Sequence, residues 1–365
     1  MENSTKQVDW SKWDSKEDCF AKYAHVESRL VYGKLPIEKP DVSVMIPTFR
    51  RADLLKEAID SVLNQKTKYQ YTISVIDNDA EGDEATDKLL KEYCEKYTNI
   101  RYYRNEQNIG MFGNWNRCIE LSQTEWLCML HDDDMLMENY LETLYPIARS
   151  NKYGVVGSYK KILDQRENGD LHMSETGKSS FVSMLMKLFI WARQGKEIPM
   201  TLQDGGHCMV HPCVANLIHK DWALELGGFN EIFFPVADIS FWEKMIKYRG
   251  VAFVPTQLYY YRIVQNESLA ENTAWSVLSA TPSLVKAIQK SLEVSEYQCE
   301  RSRIESTIIV FNIFPELKRK FLISEVTDQF GIPKKYCSSF MQRWIMLKYN
   351  IRWGLLLFRK RKHSK

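Results

Sequence analysis

The chain predicts an α/β fold, a mostly parallel sheet with helices on both faces, followed by an all-helical C-terminal part. Three observations predict it. Short β-branched runs alternate with amphipathic helical stretches from Asp41 to Leu130, the pattern of strands joined by helical crossovers. Polar, acid-rich turns close several of these runs on their carboxyl side. Beyond about Asn272 only helical periodicity remains, with no alternating segment to add to a sheet.

Taken in order, Val42–Ile46 is a short strand ending at Pro47, as a buried parallel strand does at its exit. Asp53 to Gln65 sets Leu55, Ile59, Val62 and Leu63 on one helical face. Tyr71–Ile76 is a second strand, closed by Asp77-Asn78-Asp79. A charged helix over Glu84–Tyr97 leads to a strand at Ile100–Tyr103, then a helix over Met111–Leu121. The strand Trp126–Leu130 stops at His131-Asp132-Asp133-Asp134. Tyr153–Leu163 reads as strand, Asp164–Ser180 as a polar loop, and Phe181–Arg193 as an amphipathic helix. Cys208–His219 reads as an apolar strand pair, Asp221–Leu226 and Ile239–Lys247 as helices, and Val251–Ile263 as a tyrosine-rich strand.

Composition narrows the function. With 44% hydrophobic and 26% charged residues the chain is a globular protein with ample core material. No run approaches the ~18–20 apolar residues that span a bilayer, and the polar stretch Met1–Trp13 lacks a signal peptide's apolar segment. Cytoplasmic residence is the expectation. None of the eight cysteines forms a C-x-x-C pair, which argues against structural zinc or a redox dithiol. G-x-x-x-x-G-K-[ST] is absent, so the chain is not a P-loop nucleotidase.

Ligands of an open parallel sheet bind beyond the carboxyl ends of its strands. Three polar clusters fall there: Pro47-Thr48-Phe49-Arg50-Arg51, Asp77-Asn78-Asp79 and Asp132-Asp133-Asp134. Carboxylates converging from separate strands repel unless a cation or a donor-rich ligand lies between them. A hard divalent ion that shares its sphere with phosphates, Mg²⁺ or Mn²⁺, fits that demand. The competing reading is an acidic surface turn at a helix N-terminus.

The run Val42 to Arg51 resembles the opening strand and loop of family 2 glycosyltransferases, enzymes of the GT-A fold. Val75-Ile76-Asp77-Asn78-Asp79 resembles their second strand and its uracil-contacting aspartate. Asn108-Ile109-Gly110, with Asn114 and Asn116, resembles their Asn-x-Gly segment. Leu130 to Asp134 stands at the D-x-D position, and Gly227-Gly228-Phe229-Asn230 precedes Ala237-Asp238 as the family's Gly-Gly-Phe segment precedes its catalytic acid. Tyr261-Arg262 resembles the basic end of the following strand. The likeness runs over about residues 41 to 265. Two departures stand out, His131 and Ala237, where many members carry Asp and Glu.

The resemblance implies an inverting, metal-dependent transferase using a UDP-sugar or another nucleotide-sugar, with Mn²⁺ or Mg²⁺ as cofactor. Pro47, Thr48, Phe49, Arg51, Asp77, Asn108, Gly110, Asn114 and Asp132 would border the nucleotide. Asp133 and Asp134 would hold the metal, and Asp238 would be the general base. The acceptor would be a saccharide or lipid-linked saccharide in surface polysaccharide or glycolipid synthesis. The alternative is a non-catalytic carbohydrate- or membrane-binding protein on a transferase scaffold. A sugar-nucleotide-forming enzyme is disfavoured, since Thr48-Phe49-Arg50-Arg51 contains no glycine. The implied division is an extension over 1–40, a GT-A domain over 41–270 and a helical extension over 271–365. Within the domain, 41–135 would be the nucleotide half and 136–270 the acceptor half.

Two further features are singled out. His207 and His211 bracket a Cys-Met-Val run at alternating spacing, more in keeping with structure or acceptor contact than with metal. After Asp328 there are ten Lys/Arg and no acid, whereas the first 328 residues carry 39 Lys/Arg against 47 Asp/Glu. Trp344, Leu347, Ile351, Leu355 and Phe358 recur there at helical spacing, so this end either lies on an anionic membrane or packs its stripe on the catalytic domain. No nucleic-acid motif accompanies the basic end.

Overall fold

The structure is a computed structural model and describes residues 8–34, 39–165, 196–207, 214–264, 271–313 and 315–357. The helix read over Phe181–Arg193, and residues 208–213 with His211, lie outside the described residues.

The first half follows its hydrophobic pattern. The strands β1 (Ser28–Tyr32), β2 (Val42–Thr48), β3 (Tyr71–Asp77), β4 (Ile100–Asn105) and β5 (Trp126–Met129) alternate, from β2 onward, with α1 (Ala52–Leu63), α2 (Glu84–Lys96) and α3 (Gly110–Leu121). Every residue of β2 is buried, as expected of a central strand covered on both faces. The α1 face buries Leu55, Ala58, Ile59 and Val62, while Leu63 is only partly covered. Asp83 caps α2 by accepting the Thr86 N–H at 3.0 Å. The strand β2 runs two residues past Ile46, through Pro47. Its pairing with β5 ends at Met45, so Pro47 sits where the strand has a neighbour on one side only, and there a missing N–H is tolerated.

The second half contains β6 (Met135–Leu136), α4 (Tyr140–Ala148), β7 (Val155–Asp164), β8 (Ile198–Pro199), α5 (Leu202–Gly205), β9 (Asn216–His219), α6 (Lys220–Glu225), α7 (Ala237–Tyr248) and β10 (Val251–Ile263). The sheet order is β1-β4-β3-β2-β5-β9-β7-β10-β6, with β8 beside β10. Pairings among β2, β3, β4 and β5 are parallel, whereas β9 enters antiparallel between β5 and β7. The chain moves from β2 outward to β3 and β4, then returns to place β5 on the other side of β2. That reversal is a topological switch point, and it leaves a crevice at the carboxyl end of β2.

The described segments before and after this domain pack on it. The segment before the sheet supplies β1, antiparallel to β4. It also buries Trp13, and the Cys19 N–H donates to the Gly227 carbonyl at 3.1 Å. Gly227 has φ +80°, and a Cβ there would meet the Glu17 carbonyl oxygen at 1.9 Å, so only glycine fits. The C-terminal helices are α8 (Glu271–Ser291), α9 (Glu296–Ile313), α10 (Pro315–Lys320), α11 (Ile323–Gln329) and α12 (Ser339–Leu357). From α12, Trp353 sets its ring 6.1 Å from Phe253 of β10 and 6.3 Å from Tyr159 of β7. One apolar cluster runs from Trp13 through the sheet to Leu356.

Candidate active site

The crevice at the switch point is built by three loops. The Thr48 hydroxyl donates to Asp132 Oδ2 at 2.8 Å. The Arg51 guanidinium reaches Asp133 Oδ2 at 3.1 Å and Asp132 Oδ1 at 3.5 Å. The ends of β2 and β5 are thereby joined through side chains the sequence had placed at one ligand. The Asn78 N–H donates to the Thr48 carbonyl at 3.0 Å, bringing the β3 turn alongside. Phe49 is 43% exposed at the rim, with the Arg50 guanidinium over its ring at 5.3 Å.

The acidic turn is crowded and nearly dry. Asp132, Asp133 and Asp134 are all buried. Burial, with Asp133 beside it, pushes Asp132 up to about 6. Asp134 is raised by the same two causes. Removing carboxylates from water while crowding them disfavours the charged form on both counts. Burial also lowers His131 below the usual imidazole range, and the ring stacks on Trp115 at 4.7 Å. From the far side Arg262 holds the turn: its N–H donates to Asp134 Oδ1 and its Nε to the Asp133 carbonyl, both at 2.9 Å.

The Asp77-Asn78-Asp79 turn is organised inward. Asp77 is 1% exposed, accepts from the Tyr102 hydroxyl at 2.7 Å and from the Asp79 N–H at 2.9 Å, and is raised by burial. Asp79 takes two hydrogen bonds from Arg50, at 2.6 and 3.1 Å, which hold its carboxyl below the usual range. Asn78 is the hub. Its amide donates to Asn108 Oδ1 at 2.8 Å and to the Gly110 carbonyl at 3.2 Å. Its oxygen accepts from Asn105 and from the Ile109 N–H. Asn114 is buried behind it, donating to the Ile76 carbonyl at 3.0 Å. In this structure Asn78, Asn108 and Asn114 thus brace the turn against β3 and α3. Gly110 has φ +74° with open space around a built Cβ, so conformation rather than room selects glycine there.

Residues 43–222 match the model of the family described as Glycosyl transferase family 2. Over these residues the chain belongs to glycosyl transferase family 2. It is 24% identical over 261 residues to a GalNAc(5)-diNAcBac-PP-undecaprenol β-1,3-glucosyltransferase of Campylobacter jejuni, covering 70% of this chain and 77% of that one. An uncharacterized glycosyltransferase of Methanocaldococcus jannaschii is 26% identical over 212 residues, 58% of this chain and 66% of the relative. Residues 1–349 of S. aureus TarS, solved in complex with UDP-GlcNAc, superpose with a TM-score of 0.54 at 12% identity, over 87% of this chain and 90% of that one. The GT-A fold expected from the sequence is the fold observed.

In this family 2 domain, one group of metal-capable side chains gathers among the described residues. His131, Asp133 and Asp134 bring their ligand atoms within 4.8 Å of one another. His131 Nε2 and Asp134 Oδ2 are buried and have no hydrogen-bond partner. Buried polar atoms left unpaired are costly, and a cation between them removes that cost. The residues therefore fit a divalent ion.

Asp238 lies in the first turn of α7, half-buried, accepting the Ile239 N–H at 2.8 Å. The helix begins at Ala237 with Val236 as its cap, so Asp238 is not the N-cap of a helix starting at Ile239. Of the apolar residues near it in sequence, Phe233, Val236 and Phe241 are buried, but Phe234 is 47% exposed. A chain of rings ties this segment to the acidic turn: Phe241 meets Phe229 at 4.3 Å, Phe229 meets Trp115 at 5.3 Å, and Trp115 stacks on His131. His207, far along the chain from this turn, lies in the field of Arg352 and Glu305.

Sequence reasoning did not single out Glu57, Tyr102 or Trp115. Glu57 is one more acid on a helix, and only the fold brings it to Arg262. The signal for His131 was present, since it directly precedes the acidic triplet.

Proposed function

We propose that this glycosyltransferase moves a sugar from a UDP-sugar, or another nucleotide-sugar, to a hydroxyl of a saccharide or lipid-linked saccharide, with inversion. The observation that carries the reading is the meeting of Thr48, Arg51 and the His131/Asp133/Asp134 group at the switch point of the sheet. A nucleoside diphosphate needs an electropositive, donor-rich cradle at such a place. TarS, the structural neighbour, was solved with UDP-GlcNAc, which supports a UDP donor. The Campylobacter relative, by its name a glucosyltransferase acting on an undecaprenol-linked glycan, supports a lipid-linked acceptor met at the inner face of the cell membrane.

In this reading Pro47, Thr48, Phe49, Asn108 and Gly110 border the nucleotide, with Asn114 fixing their backbone. Asp77 accepts from uracil N–H through a lone pair beyond the two already used, since a carboxylate has about four acceptor sites. Asp132 meets the ribose, and Arg51 turns to the diphosphate. His131, Asp133 and Asp134 hold the cation, and the imidazole in the set favours Mn²⁺ over Mg²⁺. When bound, that cation supplies charge neutralisation for the departing diphosphate. Asp238 takes the proton of the acceptor hydroxyl as its oxygen bonds to the anomeric carbon and the bond to the diphosphate breaks. A single displacement inverts the centre and leaves no sugar on the enzyme.

The test is a screen of nucleotide-sugars for UDP release with Mn²⁺ or Mg²⁺, repeated with Asp133→Ala. Turnover of one or two donors and its near-complete loss in the variant are expected. No release from any donor with any acceptor would favour a non-catalytic binding protein.

A further inference from the structure

The apolar residues of α12 divide between two opposite faces. At 100° per residue, Ile345, Tyr349, Trp353 and Leu356 point one way, and Ile345, Trp353 and Leu356 are buried against the domain. Phe340, Trp344, Leu347, Ile351 and Leu355 fall within an arc of about 80° on the other side. These five are 76, 50, 36, 49 and 65% exposed. The stripe expected either to pack on the domain or to face a membrane is the outward one, and a different set of side chains makes the docking contact. Isolated exposed apolar residues are ordinary, but five in one line over about 22 Å form a patch that marks a binding surface.

Charge identifies the occupant. Lys334, Lys335 and Arg343 are exposed near the start of this helix. Lys348 and Arg352, on the other flank of the stripe, are drawn to Glu305 of α9. In sequence, Arg359-Lys360-Arg361-Lys362 follows the helix, and no acidic residue occurs after Asp328. A second copy would set this basic face against itself, where like charges oppose contact. Among the described residues no helix is long and apolar enough to cross a membrane, so the stripe can lie on a bilayer but not span it.

We propose that the outward face of α12 seats the enzyme on an anionic lipid surface, Phe340, Trp344, Leu347, Ile351 and Leu355 entering the headgroup boundary while the flanking Lys/Arg meet lipid phosphates. The proposal extends the reading of a lipid-linked acceptor and rests on it, since it holds the enzyme on the kind of surface that carries such an acceptor. Because the contact face belongs to a helix already packed on the core, binding requires no refolding of α12, unlike a disordered tail that orders on contact.

The test is co-sedimentation of the full chain with vesicles of phosphatidylcholine alone or mixed with phosphatidylglycerol. Binding to the mixed vesicles that weakens with salt, and falls about tenfold or more in Ile351→Glu combined with Leu355→Glu, is expected. Trp344→Gln, a milder change, should weaken binding in the same direction. Thermal melting and UDP release without vesicles should match wild type, because these side chains are exposed and distant in sequence from the site. Equal binding to pure phosphatidylcholine, no binding, or unchanged binding by the variants overturns the proposal. So does self-association abolished by the same substitutions without vesicle binding. Vesicle binding with no UDP release from any donor would instead overturn the transferase reading and leave the lipid surface standing.

Discussion

Arg262 and Glu57 meet through two hydrogen bonds, at 2.6 and 3.2 Å, behind the acidic turn. Arg262 is 1% exposed, and the same side chain holds the Asp133 carbonyl while its N–H holds Asp134. The α1 helix is thus coupled through one arginine to the two residues proposed to bind metal, by its side chain to the Asp133 carbonyl and by its backbone N–H to the Asp134 carboxylate. Glu57 touches no ligand in this arrangement; it positions the residue that positions the turn. Glu57→Ala should cost about 1 kcal/mol of stability, the ordinary net worth of a charge-assisted pair whose acid is partly exposed. Its Mn²⁺ half-saturation should rise by about tenfold or more, as when an outer partner of a metal ligand is lost. Urea unfolding and a Mn²⁺ titration of UDP release check the two parts, and Glu57→Gln, which keeps one acceptor, should recover part of the loss. An unchanged Mn²⁺ titration in Glu57→Ala would remove the positioning role.

His131 distinguishes this turn from one made of carboxylates alone. If it ligates the ion, His131→Gln should weaken Mn²⁺ more than Mg²⁺, because imidazole is the softer donor, while Trp115 keeps a planar group to pack on. Activity restored by Mn²⁺ after EDTA treatment, with half-saturation moved upward in the variant, is the expected result. Identical titrations for both ions in wild type and variant would leave Asp133 and Asp134 alone in that role.

The fold was legible from Val42 to Leu130 because each element there carries its own signal: a buried run, an apolar stripe, an acid-rich turn. Leu63 was placed in the α1 stripe where Ala58 is the better-buried member, since periodicity counts size poorly at a crowded crossover. The antiparallel entry of β9 was not legible, because four residues of strand state no direction. At the site, sequence identified the three loops and their acids. It did not show that Asp77 would be covered by Tyr102, or that Asn78, rather than its acidic neighbours, would knit the turn. Such roles depend on partners 25 to 32 positions away, which no local pattern encodes.

Acid should destabilise the protein through His207. Burial, then the nearby Arg352 and Lys348, lower this imidazole to about 4 against the opposing pull of Glu305 and Asp204. Its ordinary value is 6.5, so between pH 6.5 and 4 the unfolded chain binds a proton that the folded chain refuses. Stability therefore rises with pH across that window and its contribution is complete above it. Urea midpoints measured from pH 7 down to pH 4 should fall more steeply for wild type than for His207→Gln. Parallel slopes would show that other groups set the acid limit.

Asn78 offers a stability test that leaves every proposed ligand in place. Its side chain makes four hydrogen bonds, two given and two received, in a buried setting. Asn78→Asp keeps the shape but loses both donors, and it sets a third carboxylate between Asp77 and Asp79. The buried new carboxylate loses two bonds and is crowded by its two acidic neighbours, each change costing about 1–3 kcal/mol, so a loss of roughly 2–4 kcal/mol is expected, read as a shifted urea midpoint with unchanged slope. Activity at low temperature, where the folded form still dominates, should drop chiefly through a raised KM for the donor, because the turn that borders the nucleotide loses its brace to α3. A large fall in stability with an unaltered donor KM would mean that the asparagine network holds the sheet together and has no part in shaping the crevice.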